Sequence, residues 1–198
     1  MIRDGDSKAY NVIKETYGPE VGTVLALADK NHAKKAFLRR LKDGRKGARA
    51  ADGKKIMGAG KVTEDFIEKL ASYFRLAVQQ TATAGGTTAE MAAAIWRIYE
   101  HKTGDHSHCT DVSWCSYQKA LREGTENAYS QKGAVDPKYL LPLKYVFEDV
   151  TKPEYLNRLL HNFSTSPNES FHSVIWSFCS KVRNIQIHIS YAYNYEKL

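Results

Sequence analysis

Long apolar runs are missing from this chain. The most compact one, Val21 to Ala28, falls far short of the ~20 residues a helix needs to cross a bilayer, and the N-terminus does not read as a signal peptide. Membrane-spanning functions are therefore set aside. Cysteine is scarce: the 3 residues, an odd number, argue against a secreted disulfide framework and for a reducing compartment. Strand candidates are few as well. Val21 to Ala28 is the best, with a fragment at Met1-Ile2 and a late alternation of Ile185, Ile187, Ile189 and Tyr191. These make a poor sheet, so the expected object is mainly α-helical with a few strands. No internal repeats are visible.

What is present is one domain's worth of chain, 198 residues, or one core with an insertion. Hydrophobic content of 42% and charged content of 26% are ordinary for a globular chain with a real core. The net charge of +7 is concentrated. Between Lys34 and Lys55 ten basic residues face only Asp43 and Asp52, so the rest of the chain is close to neutral. A basic strip of this kind suits a phosphate backbone; a solvated basic helix or a nuclear-import signal would look the same. The DNA-contact candidates are Lys34, Lys35, Arg39, Arg40, Lys42, Arg45 and Lys46.

Periodicity and caps predict the helices. A short one runs from Lys8 to Tyr17, and a basic one from Ala33 to Leu41. Five glycines between Asp43 and Gly60 predict a mobile loop. Thr63 is a plausible N-cap for a helix to about Gln80, burying Phe66, Ile67, Leu70, Phe74 and Ala77. Thr87-Thr88-Ala89-Glu90 is a capping box opening a helix to about Lys102. A short helix is predicted from Tyr117 to Glu123, one from Lys138 to Val150 behind Asp136-Pro137, another from Thr151 to His161, and a last from Ser166 to about Cys179. Trp96, Trp114 and Trp176 read as core packing rather than base-stacking platforms.

Two acidic motifs lie far apart: Asp4-Gly5-Asp6-Ser7-Lys8 and Asn168-Glu169-Ser170-Phe171. Carboxylates from distant segments are how metal-dependent nucleases hold hard divalent cations for in-line phosphoryl transfer. Each has a bland competitor. Asp-Gly-Asp-Ser is good turn chemistry, and Ser166-Pro167-Asn168-Glu169 is a capping box. Between them lies a loop rich in His and Cys. His106-x-x-Cys109 with Cys115 supplies three zinc-type ligands, with His101 or His108 as the fourth. The competing reading is a plain loop around a buried Cys115.

The order of four segments resembles the Mutator-like transposases, specifically the animal branch. These are Asp4-Gly5-Asp6-Ser7-Lys8, Asp29-Lys30-Asn31-His32, Ser113-Trp114-Cys115-Ser116-Tyr117-Gln118-Lys119, and Asn168-Glu169-Ser170-Phe171 through Ser173-Val174-Ile175-Trp176, spanning roughly residues 2–180. The resemblance implies a partial RNase H-like α/β core carrying a DDE triad and interrupted by a helical insertion. It implies Asp4 as the second triad Asp, with Asp6 the alternative, Glu169 as the triad Glu, and Mg²⁺ as the cofactor. The first Asp would belong to a strand upstream of Met1. The family's zinc pair, Cys-x-x-His and Cys-x-His, falls on Asp29-Lys30-Asn31-His32 and Leu159-Leu160-His161; both histidines match and both cysteines are replaced.

The implied layout is a partial core over 1–42, a basic glycine-rich loop over 43–62, a helical insertion over 63–160, and a terminal core helix over 161–198. The implied function is a truncated or decayed DNA transposase, inactive alone, or a non-catalytic nucleic-acid-binding module derived from one. DNA is the implied partner, the nucleus the implied location, and association into a homo-oligomer is left open.

Overall fold

The computed structural model describes residues 2–3, 11–17, 27–109, 114–130, 133–164, 170–171, 173–175 and 177. The chain divides into two compact units, Met1–Phe163 and Ser164–Leu198. In the second, the described residues of the helix predicted from Ser166 to about Cys179 are helical, and Phe171 and Val174 are exposed. Trp176, Cys179 and the predicted strand at 185–191 lie outside the described residues.

The described residues are mainly helical, as the shortage of strand signals implied. In the first unit a two-residue strand β1 (Ile2–Arg3) pairs in parallel with β2 (Leu27–Ala28), in the register Ile2 to Leu27 and Arg3 to Ala28. Residues 11–17, helical and here called α1, lie between them in the chain. A parallel pair needs a crossover, and a helix is the usual one. Of the strand predicted over Val21 to Ala28, only Leu27–Ala28 falls within the described residues.

The basic helix α2 (Lys30–Arg45) is longer at both ends than predicted. Its start moves back because the Asp29 carboxylate caps it, accepting from the Asn31 and His32 N–H groups at 2.5 and 3.0 Å. Its end moves forward through Gly44, where close packing matters more than helix propensity. A Cβ on Gly44 would sit 2.5 Å from the Tyr145 hydroxyl and 3.0 Å from Leu143 Cδ2. The glycine-rich segment that follows is a loop, yet it is tied down. Ile56 and Val62 are fully buried, Ala50 nearly so, and Arg49 bridges Lys55 in a short antiparallel contact. Glycine content signalled mobility; the two apolar anchors outweigh it.

Helix α3 (Glu64–Thr83) is capped by Thr63, whose hydroxyl accepts from the Phe66 N–H at 3.1 Å, and buries all five predicted residues. It runs further than predicted, and Gly85, at φ 70°, makes the turn that follows. Helix α4 (Thr88–Lys102) opens with the predicted capping box between Thr87 and Glu90. The expected single helix from Lys138 to Val150 is broken. Pro137–Leu140 forms α6, Leu141–Leu143 a 3-10 turn containing Pro142, and Lys144–Val150 forms α7. Pro142 has no N–H to continue the ladder. The helix predicted from Thr151 shortens to Pro153–Leu156, α8, followed by turns.

The core is where α2, α3, α4 and α7 meet. Phe37 is its hub, stacked on Phe74 at 4.7 Å and edge-on to Phe147 at 5.2 Å. Tyr99 meets Phe147 at 5.2 Å, and Trp96 lies against both. Trp96 thus packs as predicted. Trp114 does not: it is 49% exposed, beside the His101 ring.

Candidate functional site

Two features of the first unit carry chemistry: a His/Cys cluster after α4 and the basic face of α2. The cluster is assembled by an excursion from the core. The chain leaves the core at the end of α4 and returns at buried Val135, whose N–H donates to the Lys102 carbonyl at 3.0 Å. His101 lies in the last turn of α4. His106 and Cys109 lie in the turn beyond it, closed by the Cys109 N–H on the His106 carbonyl at 3.0 Å. Cys115 precedes helix α5 (Ser116–Arg122) at the N-cap position and makes no side-chain cap there.

His101, His106, Cys109 and Cys115 bring one ligand atom each to within 4.8 Å of one another, and could hold a metal ion. They are the one such group among the described residues. Cys109 Sγ is 3.5 Å from His101 Nδ1 and 3.9 Å from His106 Nδ1. Cys115 Sγ is 3.9 Å from His101 Nδ1 and 3.5 Å from His106 Nδ1. His106, Cys109 and Cys115 are buried and both cysteines are free thiols. Without a cation, burial holds His101 down to about 4, helped by His106 and Lys102. Burial, with Cys115 beside it, pushes Cys109 up to about 12. A divalent cation would oppose the effect on Cys109 by favouring the thiolate, and would reinforce the neutral state of His101.

Aromatic rings wall the cluster. His106 stacks on Tyr117 at 4.6 Å and meets Tyr129 edge-on at 5.8 Å, while its carbonyl accepts from Gln118 Nε2 at 3.2 Å. The spacing of His106, Cys109 and Cys115 was readable in the sequence, but the fourth member was not. His108 is excluded by direction: it is exposed, and its Nδ1 meets Glu100 Oε2 at 2.9 Å.

The segments matched to the family's zinc pair do approach each other. Ala28 N–H donates to the Arg158 carbonyl at 2.8 Å, and Lys30 Nζ to Asn162 Oδ1 at 2.8 Å. The donors there are spent differently. Asp29 is buried and caps α2, His32 is half-buried in its first turn, Leu159 is in the core, and His161 is exposed against Phe163. No group of three metal-ligand atoms gathers from these segments among the described residues. Asp4, Asp6 and Glu169 lie outside the described residues.

On α2, Lys35, Arg39 and Lys42 recur at helical spacing on one face, and Lys46 follows at the C-cap. They border an open concavity of about 390 Å³ together with Arg45 and Glu64. The seven basic candidates are not equivalent. Lys42 pairs with Glu64 and Glu68, and Arg45 with Glu64 and the Val62 carbonyl. Glu64 holds the Lys42 ammonium above its ordinary range, and Lys42 in turn holds Glu64 below its own. Arg40 reaches Asp149 at 3.6 Å and Lys46 reaches Asp43 at 2.9 Å. Lys34, Lys35 and Arg39 form no salt bridge among the described residues.

The family model of the Mutator-like transposases matches residues 1–115, more than half of the chain, and the chain belongs to that family. The matched stretch takes in Asp4, Asp6, α2 and all four cluster residues, and stops short of Glu169. No curated protein and no solved structure matches the chain. No helix among the described residues is long and apolar enough to cross a membrane.

Proposed function

We propose that the chain is the DNA-handling part of a Mutator-like DNA transposase, with an RNase H-like core interrupted by the helical block that begins at α3. The observation that carries this reading is the family match over residues 1–115, across which a parallel β–α–β start leads straight into a basic helix. Asp4, which follows β1 in the chain, is the second Asp of the triad, with Asp6 as its alternative, and Glu169 is the triad Glu. Mg²⁺, when bound by such carboxylates, activates a water or a DNA 3′-hydroxyl for attack on a phosphodiester. Lys34, Lys35 and Arg39 supply positive charge for the phosphate backbone. The nucleus is where such a protein would meet its DNA.

Two triad carboxylates leave a metal pair underheld, so the 198 residues by themselves bind DNA without cutting it. Robust Mg²⁺-dependent nicking, lost in Asp4→Ala and Glu169→Ala, would overturn that statement. The triad assignment is tested separately by calorimetric titration with Mg²⁺ or Mn²⁺. Binding that weakens at least tenfold in each of the two variants supports it; binding indifferent to both sinks it.

A second reading, a non-catalytic nucleic-acid-binding module of the same descent, is favoured by Lys34, Lys35 and Arg39 of α2, which form no salt bridge among the described residues. It requires DNA binding to depend on those cations while both carboxylate substitutions leave it unchanged.

A further inference from the structure

We propose that His101, His106, Cys109 and Cys115 form a closed structural zinc site that holds the excursion between α4 and Val135 in place. This goes beyond the DNA-handling reading and does not depend on it. The first argument is geometric. Zinc bonded tetrahedrally to thiolate at about 2.3 Å and to imidazole at about 2.0–2.1 Å sets each sulfur about 3.6 Å from each nitrogen. The four sulfur–nitrogen distances here are 3.5, 3.9, 3.9 and 3.5 Å. Each sulfur therefore sits between two ring nitrogens, whereas a thiol has one proton to give. A shared cation satisfies all four contacts at once.

The second argument is energetic. The hydrophobic core draws on residues up to Tyr99 and again from Val135, and on none of the described residues from His101 to Ser130. Among the described residues of that stretch, the buried ones are His106, Cys109, Cys115 and Ala120. Described residues with so little apolar burial do not offset their ordering entropy unaided; chains in this position use a metal or a disulfide as a staple. His101 stands at the neck of the excursion and Cys115 at the start of α5, so one ion ties the helix that leaves the core to the helix that lies outside it.

Ligand chemistry selects the metal. Two thiolates and two imidazoles suit borderline-soft Zn²⁺ rather than Mg²⁺ or Ca²⁺, and four protein ligands leave no open position for a water nucleophile. The site is distinct from the Asp29-His32 and Leu159-Leu160-His161 segments, which gather no group of three ligand atoms among the described residues.

The test uses the full chain purified in zinc-containing medium. Metal analysis is expected to give one zinc per chain, with Cys109→Ser and Cys115→Ser each losing it, and His108→Ala and His161→Ala keeping it. Replacement by Co²⁺ is expected to give intense tetrahedral d–d bands with thiolate charge transfer, unchanged in His108→Ala and weakened in His101→Ala. Because a cysteine variant can fail simply by misfolding, the wild type is also digested with protease before and after chelation. New cuts confined to residues 103–134, reversed by zinc, support the staple. Wild-type protein with both thiols free and no zinc, or with a Cys109–Cys115 disulfide in place of metal, overturns the proposal. So does a cobalt spectrum that needs His108 and not His101.

Discussion

Asp29 shows how one side chain can carry two readings that only its neighbours separate. The family pattern puts a zinc ligand at this position, while its carboxylate, almost fully buried, accepts the first free N–H groups of α2. An amide keeps the capping acceptor and loses the charge. Asp29→Asn is therefore expected to melt within a few degrees of the wild type, whereas Asp29→Ala loses about 1–2 kcal/mol of stability in urea unfolding. Equal losses in both variants would point to a need for the charge itself. Chemistry was legible at this scale and direction was not. Spacing along the chain named His106, Cys109 and Cys115 but left His101 and His108 as alternatives for the fourth ligand, and His108 is the nearer in sequence. The choice depends on where α4 ends and on Glu100 engaging His108. Trp114 was misjudged for a related reason: apolar neighbours in sequence said nothing of the exposed turn it occupies.

At the scale of elements, cap chemistry read well. Thr63 and the Thr87–Glu90 box start α3 and α4 where their patterns place them, because a side-chain acceptor three residues before a free N–H is a local device. Thr87→Ala is expected to cost roughly 1 kcal/mol, read as a shift in the urea midpoint with unchanged slope; no shift would mean that tertiary packing alone sets the helix start. Long-range devices read less well. The loop after α2 was judged by its glycines, while Ile56 and Val62, buried far from their sequence neighbours, decide its order. The predicted helix after Asp136 failed at Pro142, whose effect was in plain sight. The excursion between α4 and Val135 adds no described residue from His101 to Ser130 to the hydrophobic core. Acid should loosen it, since protons compete with zinc for both imidazole and thiolate. Zinc release is expected to rise as pH falls below about 6, measured with a chromophoric chelator. Release independent of pH would be inconsistent with a His and Cys ligand set.

For the molecule as a whole, the mainly helical character followed from the shortage of strand signals. The packing of α2, α3, α4 and α7 around Phe37 required the fold itself. Phe37→Ala removes the shared partner of Phe74 and Phe147 and is expected to cost roughly 3–5 kcal/mol in urea unfolding; a loss below about 1 kcal/mol would deny Phe37 its place at the hub. The basic strip was legible as composition. Which of its charges remain available was not, because Glu64, Glu68 and Asp149 come from other elements. That distinction gives the most direct measurement of the DNA-handling role. Binding of a fluorescent duplex is followed by anisotropy over a range of salt concentrations, for the wild type and for the triple variant Lys34→Ala, Lys35→Ala, Arg39→Ala. Loss of three phosphate contacts is expected to flatten the slope of log affinity against log salt by about 3. A wild type that binds no duplex, or a variant with the same affinity and slope, would contradict the assignment of this face to DNA.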